Sequence, residues 1–457
     1  MTPGHQPAYS SAGSPGLTRI VLYNPPMLWQ PPLAARYTDM SEADLAAAIT
    51  ARKAELGHDV VILGHHYQQD EVIRFADFTG DSFKLSQLAA ERVRQRGAKY
   101  VVFCGVHFMA ETADILANPG DADDVQVILP DMSAGCSMAD MADYDDTVEA
   151  YESITQVMQG RGTSDEGRDQ PPRTDSVLPR PSSLVPSCRL IPVCYMNSTA
   201  AIKAFCGEHG GAVCTSSNAE KILRWAMAGG DTPLAEGETV KVLFIPDQHL
   251  GRNTAAAMGY DVTTATCVWD PRHPDGLGGL DEDTIGRATF ILWKGHCSVH
   301  KLFRPEHVDQ VRAAWPDVTV IVHPECAYEV CQKADQTGST EGIIATLEKA
   351  PAGSRWAIGT EVHLVNRLCG EAAKRGVEAR ILSDCQCLCT TMYRIDMPHL
   401  LWVLDELAAG RVVNRVRVHP DAKRQAQVAL DRMLRITARG GAATRSPAVA
   451  GAYNSSP

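Results

Sequence analysis

The chain has 457 residues, 44% of them hydrophobic, which is enough for a large core spread over two to four units of ordinary domain size. A formal net charge of −12, with no dense Lys/Arg block, excludes nucleic acid and anionic membrane surfaces as main partners. It leaves anionic small molecules open, because a local site can oppose the global charge.

Residues 1–37 are rich in Pro, Gly and Ser and lack the basic start and apolar stretch of a secretory signal, so a flexible tail is expected. The fourteen cysteines, without an export signal, point to the reducing cytoplasm, where thiols act as metal ligands, nucleophiles or core residues. The longest apolar runs, such as Thr289 to Trp293 and Val318 to Val322, are too short to span a bilayer.

Short Val/Ile-rich runs, each ending in a polar cluster before an amphipathic stretch, read as buried parallel strands. The first set is Val60 to Gly64, Tyr100 to Cys104 and Val125 to Pro130, with a helix over Ser82 to Arg96. The second is Leu190 to Tyr195, Ala212 to Cys214, Val240 to Pro246 and Thr289 to Trp293, with helices over Thr199 to Cys206 and Asn218 to Met227. The third is Val318 to His323, Arg355 to Gly359 and Ala379 to Leu382. Helical periodicity returns over Met397 to Ala409 and Ala422 to Thr437.

The pattern appears three times, so the expected fold is α/β, with three pseudo-symmetric three-layer α/β/α units of short parallel sheets around a central site. The units expected are 38–135 together with 384–437, then 136–296, then 297–383. The stretch 158–187 fills with Arg, Asp, Pro and Ser and reads as a disordered insertion, and 438–457 as a flexible tail.

Each copy's first strand ends in polar residues: Gly64-His65-His66-Tyr67, Tyr195-Met196-Asn197 and His323-Pro324-Glu325. Each copy also has a small polar helix start: Gly80-Asp81-Ser82, Thr215-Ser216-Ser217-Asn218 and Gly338-Ser339-Thr340-Glu341. Ligands of open α/β sheets bind at the carboxyl ends of strands, so these clusters can converge. A hydroxyl beside free N–H groups at a helix start suits carboxylate or phosphate, although an ordinary N-cap has the same composition. His65, Tyr67, Tyr195, Asn197, His323 and Glu325 offer acid, base and hydrogen-bonding groups.

Each copy closes with a strand followed by cysteine, giving Cys136, Cys297 and Cys389. These are too widely spaced for a zinc knuckle and suit a cluster at a domain junction, where three thiolates on a four-iron cluster leave one iron open. In Asp384-Cys385-Gln386-Cys387-Leu388-Cys389, a strand-like alternation would place three thiols on one face. A redox pair competes with a metal site there, but a Cys385 to Cys387 disulfide would be strained by so short a loop. Cys104, Cys188, Cys194, Cys206, Cys214, Cys267, Cys331 and Cys369 read as packing residues.

From about Asp39 to Glu406 the chain resembles the quinolinate synthases. The resemblance runs through Gly64 to Gln68, Pro130 to Ser137, Val193 to Ser198, Pro246 to Arg252, Trp293 to Cys297, His323 to Cys326 and Gly338 to Thr340, in the family's order. It implies condensation of iminoaspartate with dihydroxyacetone phosphate to quinolinate for NAD biosynthesis, with L-aspartate oxidase as functional partner. It implies a 4Fe-4S cluster on Cys136, Cys297 and Cys389, and substrate contacts at His65, Ser82, Tyr195, Asn197, Ser216, His323, Glu325 and Thr340. His65, Tyr67 and Glu325 become the acid/base residues. Cys326 is a rival for the middle ligand, and Cys389-Thr390-Thr391-Met392 departs from the Cys-Pro that often precedes this Met in the family. An aconitase-like hydro-lyase, a cluster-based redox sensor and a catalytic zinc protein are the competing classes.

Overall fold

A computed structural model describes residues 29–160, 188–384 and 387–439. The expected tails and the insertion fall largely outside the described residues. Residues 29–34 carry no regular structure, Ala35–Thr38 is a short helix, Tyr144–Gly160 runs into the start of the expected insertion, and Pro420–Arg439 runs past residue 438. The periodic apolar positions Ala150, Ile154 and Val157 bury one face of Tyr144–Gly160.

Among the described residues, fourteen strands form three sheets. The first contains β1 (Val60–His65), β2 (Phe78–Gly80), β3 (Tyr100–Cys104), β4 (Gln126–Ile128) and, far along the chain, β14 (Arg415–Val416). The second contains β5 (Cys188–Tyr195), β6 (Ala212–Cys214), β7 (Thr239–Ile245), β8 (Thr266–Trp269) and β9 (Phe290–Trp293). The third contains β10 (Val318–Val322), β11 (Gln336–Thr337), β12 (Arg355–Gly359) and β13 (Glu378–Ile381).

The sheets share one topology: β4-β3-β1-β2, β9-β7-β5-β6 and β13-β12-β10-β11. In each, the first strand lies between a short edge strand and the next long one. All pairings are parallel except β14 with β4, which is antiparallel. Register is set by continuous apolar runs: Val60 pairs with Tyr100, Ile191 with Val242, and Val318 with Arg355. β1 and β10 are buried on both faces, as a parallel strand covered by helices must be.

The sequence missed β2, β8, β11 and β14, because two to four residues carry too little periodicity to stand out. The short strands matter most. Each edge strand β2, β6 and β11 feeds a helix, Ser82–Arg96, Ala219–Met227 and Thr340–Glu348, whose start faces the common centre.

The C-terminal helices bind the units together. Met397–Ala408 packs on Glu42–Leu56, and Pro420–Arg439 lies along Ala200–Glu208. The second approach is close enough that a Cβ on Gly207 would stand 1.9 Å from the Gln425 carbonyl oxygen, so any side chain there would push the helix away. A buried ion pair, Lys423 to Asp114 at 3.0 Å, ties the same helix to His107–Ala117. Among the described residues no helix is long and apolar enough to cross a membrane.

Candidate active site

The carboxyl ends of β1, β5 and β10 open on one cleft of about 680 Å³, its mouth included. His65, Tyr67, Ser82, Cys136, Tyr195, Asn197, Ser216, Cys297, His323, Glu325, Thr340 and Cys389 all line it. The expected substrate contacts, acid/base residues and three preferred cysteines therefore reach the same space, although they span more than half the chain.

One wall is a continuous chain of hydrogen bonds. The Glu325 carboxylate lies 2.8 Å from His300 Nδ1, and His300 Nε2 lies 3.2 Å from Thr360 Oγ1. Thr360 Oγ1 is 3.0 Å from the Tyr67 hydroxyl, which is 3.2 Å from Thr340 Oγ1. The Tyr195 hydroxyl bonds to Glu325 at the other end. His323 stacks on His300 with ring centroids 4.4 Å apart. His300 and Thr360 escaped the sequence reading. Thr360 follows β12 directly, at the strand end where ligands gather, and His300 stands three residues after Cys297, so both carried a positional signal.

Burial sets the protonation along this wall. It drives the His65 and His323 imidazoles down to about 3, so both are neutral near pH 7. It pushes the Tyr67 and Tyr195 phenols up, which keeps them as proton donors. Burial would also raise Glu325, but the facing imidazoles and the bonds from His300 and Tyr195 outweigh it and hold the carboxyl down. The wall thus offers a carboxylate, neutral imidazoles and protonated phenols side by side, the components of general acid–base catalysis.

The helix starts supply a second set of groups. Capping is done by Asp81, which also lines the cleft and accepts from the Phe83 and Lys84 N–H groups, and by Ser339, which accepts from Gly342 N–H. The N-cap reading is therefore correct for Asp81 and Ser339, while Ser82, Ser216 and Thr340 turn into the cleft. Ser82 and Ser216 hydroxyls have no hydrogen-bond partner among the described residues. Among the described residues no Lys or Arg lines the cleft, so an anion there meets hydroxyls and helix N-termini instead. A wholly buried Lys203 stands behind the wall, its ammonium 5.4 Å from the Phe108 ring and donating to Ser198 O.

The same cleft carries the thiols, and all three stand in the same turn. Each cysteine precedes a 3₁₀ turn by three residues, at Ala139–Met141, His300–Leu302 and Met392–Arg394. In each, the carbonyl of the cysteine accepts from the residue four further on: Asp140 at 3.0 Å, Lys301 at 3.1 Å and Tyr393 at 3.0 Å. Backbone N–H groups of the same turns point at the sulfurs, from Ala139 and Met138, from His300, and from Met392 and Thr391. Ser137, Ser298 and Thr390 follow the three cysteines, a repeat that was legible in the sequence.

Burial pushes all three thiols up, Cys136 to about 12, and each is further opposed by nearby negative groups: Cys136 by Cys389, Cys297 by Glu325 and then by Cys389 and Cys136, and Cys389 by Glu361. Three unpaired thiols with N–H groups aimed at them, yet disfavoured as thiolates, fit a site completed by metal charge. Cys326 is wholly buried, sits 3.8 Å from Gly359 O and does not line the cleft, so the rival assignment loses its geometric basis. Cys387 packs in the third unit's core and does not line the cleft as Cys389 does, and residues 387–389 are not in a strand; Cys385 lies outside the described residues. The donor atoms of Cys297, His300 and Glu325 also lie within 4.8 Å of one another, close enough to hold a single ion.

The family model described as quinolinate synthetase A protein matches residues 47–435. A quinolinate synthase of Acidobacterium capsulatum is 51% identical over 400 residues, covering 88% of this chain and 95% of that protein. The chain belongs to the quinolinate synthase family. A quinolinate synthase of Nocardioides sp. is 50% identical, covering 86% of this chain and 90% of its own. One of Geobacillus kaustophilus is 46% identical, covering 87% and 95%. The family match spans all three sheets, so the shared cleft is a feature of the family-wide part of the chain and not of its ends.

Proposed function

We propose that this member of the quinolinate synthase family condenses iminoaspartate with dihydroxyacetone phosphate to quinolinate, releasing phosphate and water, in NAD biosynthesis. The observation that carries the reading is the meeting, in one cleft, of three equivalent cysteine turns with a carboxylate–imidazole–hydroxyl chain. A 4Fe-4S cluster held by Cys136, Cys297 and Cys389 would supply an incompletely ligated iron as a Lewis acid.

The rest of the chemistry belongs to the chain's own side chains. Ser82, Ser216 and Thr340, with their helix N-termini and Asn197, hold the carboxylates and the phosphate without a permanent cation. His65, neutral and buried with Nδ1 accepting from Tyr67 N–H, donates its Nε2 proton to the oxygen that gains charge during enolisation, while the carbon proton passes to the Glu325 carboxylate. Tyr67 delivers a proton to the departing hydroxyl. Glu325, backed by His300, accepts the proton released as the imine forms, and Tyr195 and His323 orient the substrate beside it. Iminoaspartate comes from an enzyme of the L-aspartate oxidase type, and the reaction runs in the cytoplasm.

The test is anaerobic. Reconstituted protein should be brown and form quinolinate from the two substrates, and Cys297→Ser should lose both colour and turnover. An unchanged spectrum in that variant would return the middle ligand to Cys326. A mononuclear site on Cys297, His300 and Glu325 is the second reading, favoured by the closeness of their donor atoms. Metal analysis separates the two: about four irons with sulfide per chain for the cluster, against one zinc.

A further inference from the structure

β1 ends at His65, and the chain must turn through His66, Tyr67, Gln68 and Gln69 before the short helix Asp70–Ile73. A turn of this kind leaves backbone carbonyls without ladder partners. Two of them, His66 O and Gln68 O, flank Tyr67, and both accept from one guanidinium, Arg367, the second at 2.8 Å. The same guanidinium reaches Asp70 Oδ1 at 2.6 Å. Arg367 stands on Val362–Ala373, the helix that follows Thr360, and Thr360 touches the Tyr67 hydroxyl at 3.0 Å. One segment of the third unit therefore holds Tyr67 at both ends, backbone and hydroxyl.

We propose that Arg367 is a positioning residue that fixes the Tyr67 phenol in the cleft by gripping the carbonyls on either side of it. The inference rests on the acid/base role given to Tyr67 above. Arg367 does not line the cleft and acts only through the loop. Its ion pair with Asp70 carries little by itself, since Asp70 is 65% exposed. What matters is the fork, which satisfies two backbone acceptors at once and which an ammonium cannot reproduce. Tyr67 N–H donates to His65 Nδ1 at 3.1 Å, which ties the start of the loop to the end of β1 independently of Arg367. On the loop's other flank, Gln69 donates to Tyr393 O and Ile395 O, both at 3.0 Å, joining it to the segment just past Cys389.

A double-mutant cycle separates positioning from a general structural tie. Arg367→Ala should lower kcat by about 10- to 100-fold, the scale of a misplaced catalytic group, with KM and iron content unchanged. Arg367→Lys, which keeps the charge and loses the fork, should fall between it and the parent, and free guanidinium should restore the alanine variant. The deciding measurement is Arg367→Ala combined with Tyr67→Phe, which should be no slower than Tyr67→Phe alone. If the two losses multiply, Arg367 acts elsewhere and the proposal is overturned. A Tyr67→Phe variant at the parent rate would instead overturn the role of Tyr67, and the clamp with it, and is read from the single variant.

Discussion

Two groups of residues that meet at the cleft are built in different ways. Glu325, His300, Thr360, Tyr67 and Thr340 are joined by contacts of 2.8, 3.2, 3.0 and 3.2 Å, so each polar atom in that wall is answered by another from the chain. Cys136, Cys297 and Cys389 receive backbone N–H groups suited to negative sulfur, yet burial and nearby negative groups favour the neutral thiol. The first face is complete within the protein. The second is arranged for positive charge that the chain does not itself supply. A buried polar network that is fully satisfied is rigid, whereas a half-satisfied one is costly unless something fills it.

The largest expected effect tests the incomplete face. Cys389→Ala should abolish iron retention and quinolinate formation together, read by iron per chain and the visible spectrum after anaerobic reconstitution. Cys387→Ala, two residues away but packed in the third unit's core, should keep the iron and lose only the stability of a truncated core thiol. If both variants lost iron equally, the contrast between a cleft thiol and a core thiol would be broken.

Next in size is an attack on the complete face. His300→Gln removes the imidazole that joins Glu325 to Thr360 and keeps the backbone N–H that points at Cys297. Turnover should fall by about 10²-fold, within the range for loss of a general acid–base group, with iron content unchanged. Loss of iron in this variant would mean that His300 is a metal ligand, as the closeness of its ring to Cys297 allows, and the two faces would then be one.

How far this division was legible in the sequence depends on what held each part. The repeat was legible because β1, β5 and β10 are continuous apolar runs that end in polar residues, and a parallel strand cannot read otherwise. The three cysteines were legible because each follows a strand end. His300 and Thr360 were not, since their importance lies in what they touch: a His in a 3₁₀ turn and a Thr after a strand are ordinary until Tyr67 and Glu325 arrive from 293 and 25 residues away. Arg367 was hidden for the same reason, as its partners are backbone carbonyls, which have no sequence signature. The helix-start hydroxyls were half legible: the motif was found, but only the structure shows that Asp81 and Ser339 do the capping while the Ser82 and Ser216 side chains are left to the cleft.

The smallest effect leaves turnover at neutral pH untouched and concerns what the complete face contributes to stability. His65 and His323 titrate at about 3 in the folded protein, against about 6.5 for an unfolded chain. Above about pH 6.5 neither state binds the proton and the contribution of these residues is fully present. As pH falls toward 3, the unfolded chain takes up protons that the buried rings refuse, so stability is lost on acidification, at up to about 1.4 kcal/mol per pH unit for each histidine. Glu325, held low as well, adds a loss of the same sign only below its unfolded value of about 4.5. Melting temperatures at pH 7.5 and 5.5 should therefore differ in the parent, and the difference should shrink in a His65→Gln, His323→Gln variant. An identical acid slope in that variant would show that the imidazoles are hydrated or charged in the folded state. The polar wall would then be as incomplete as the thiol face it is set against.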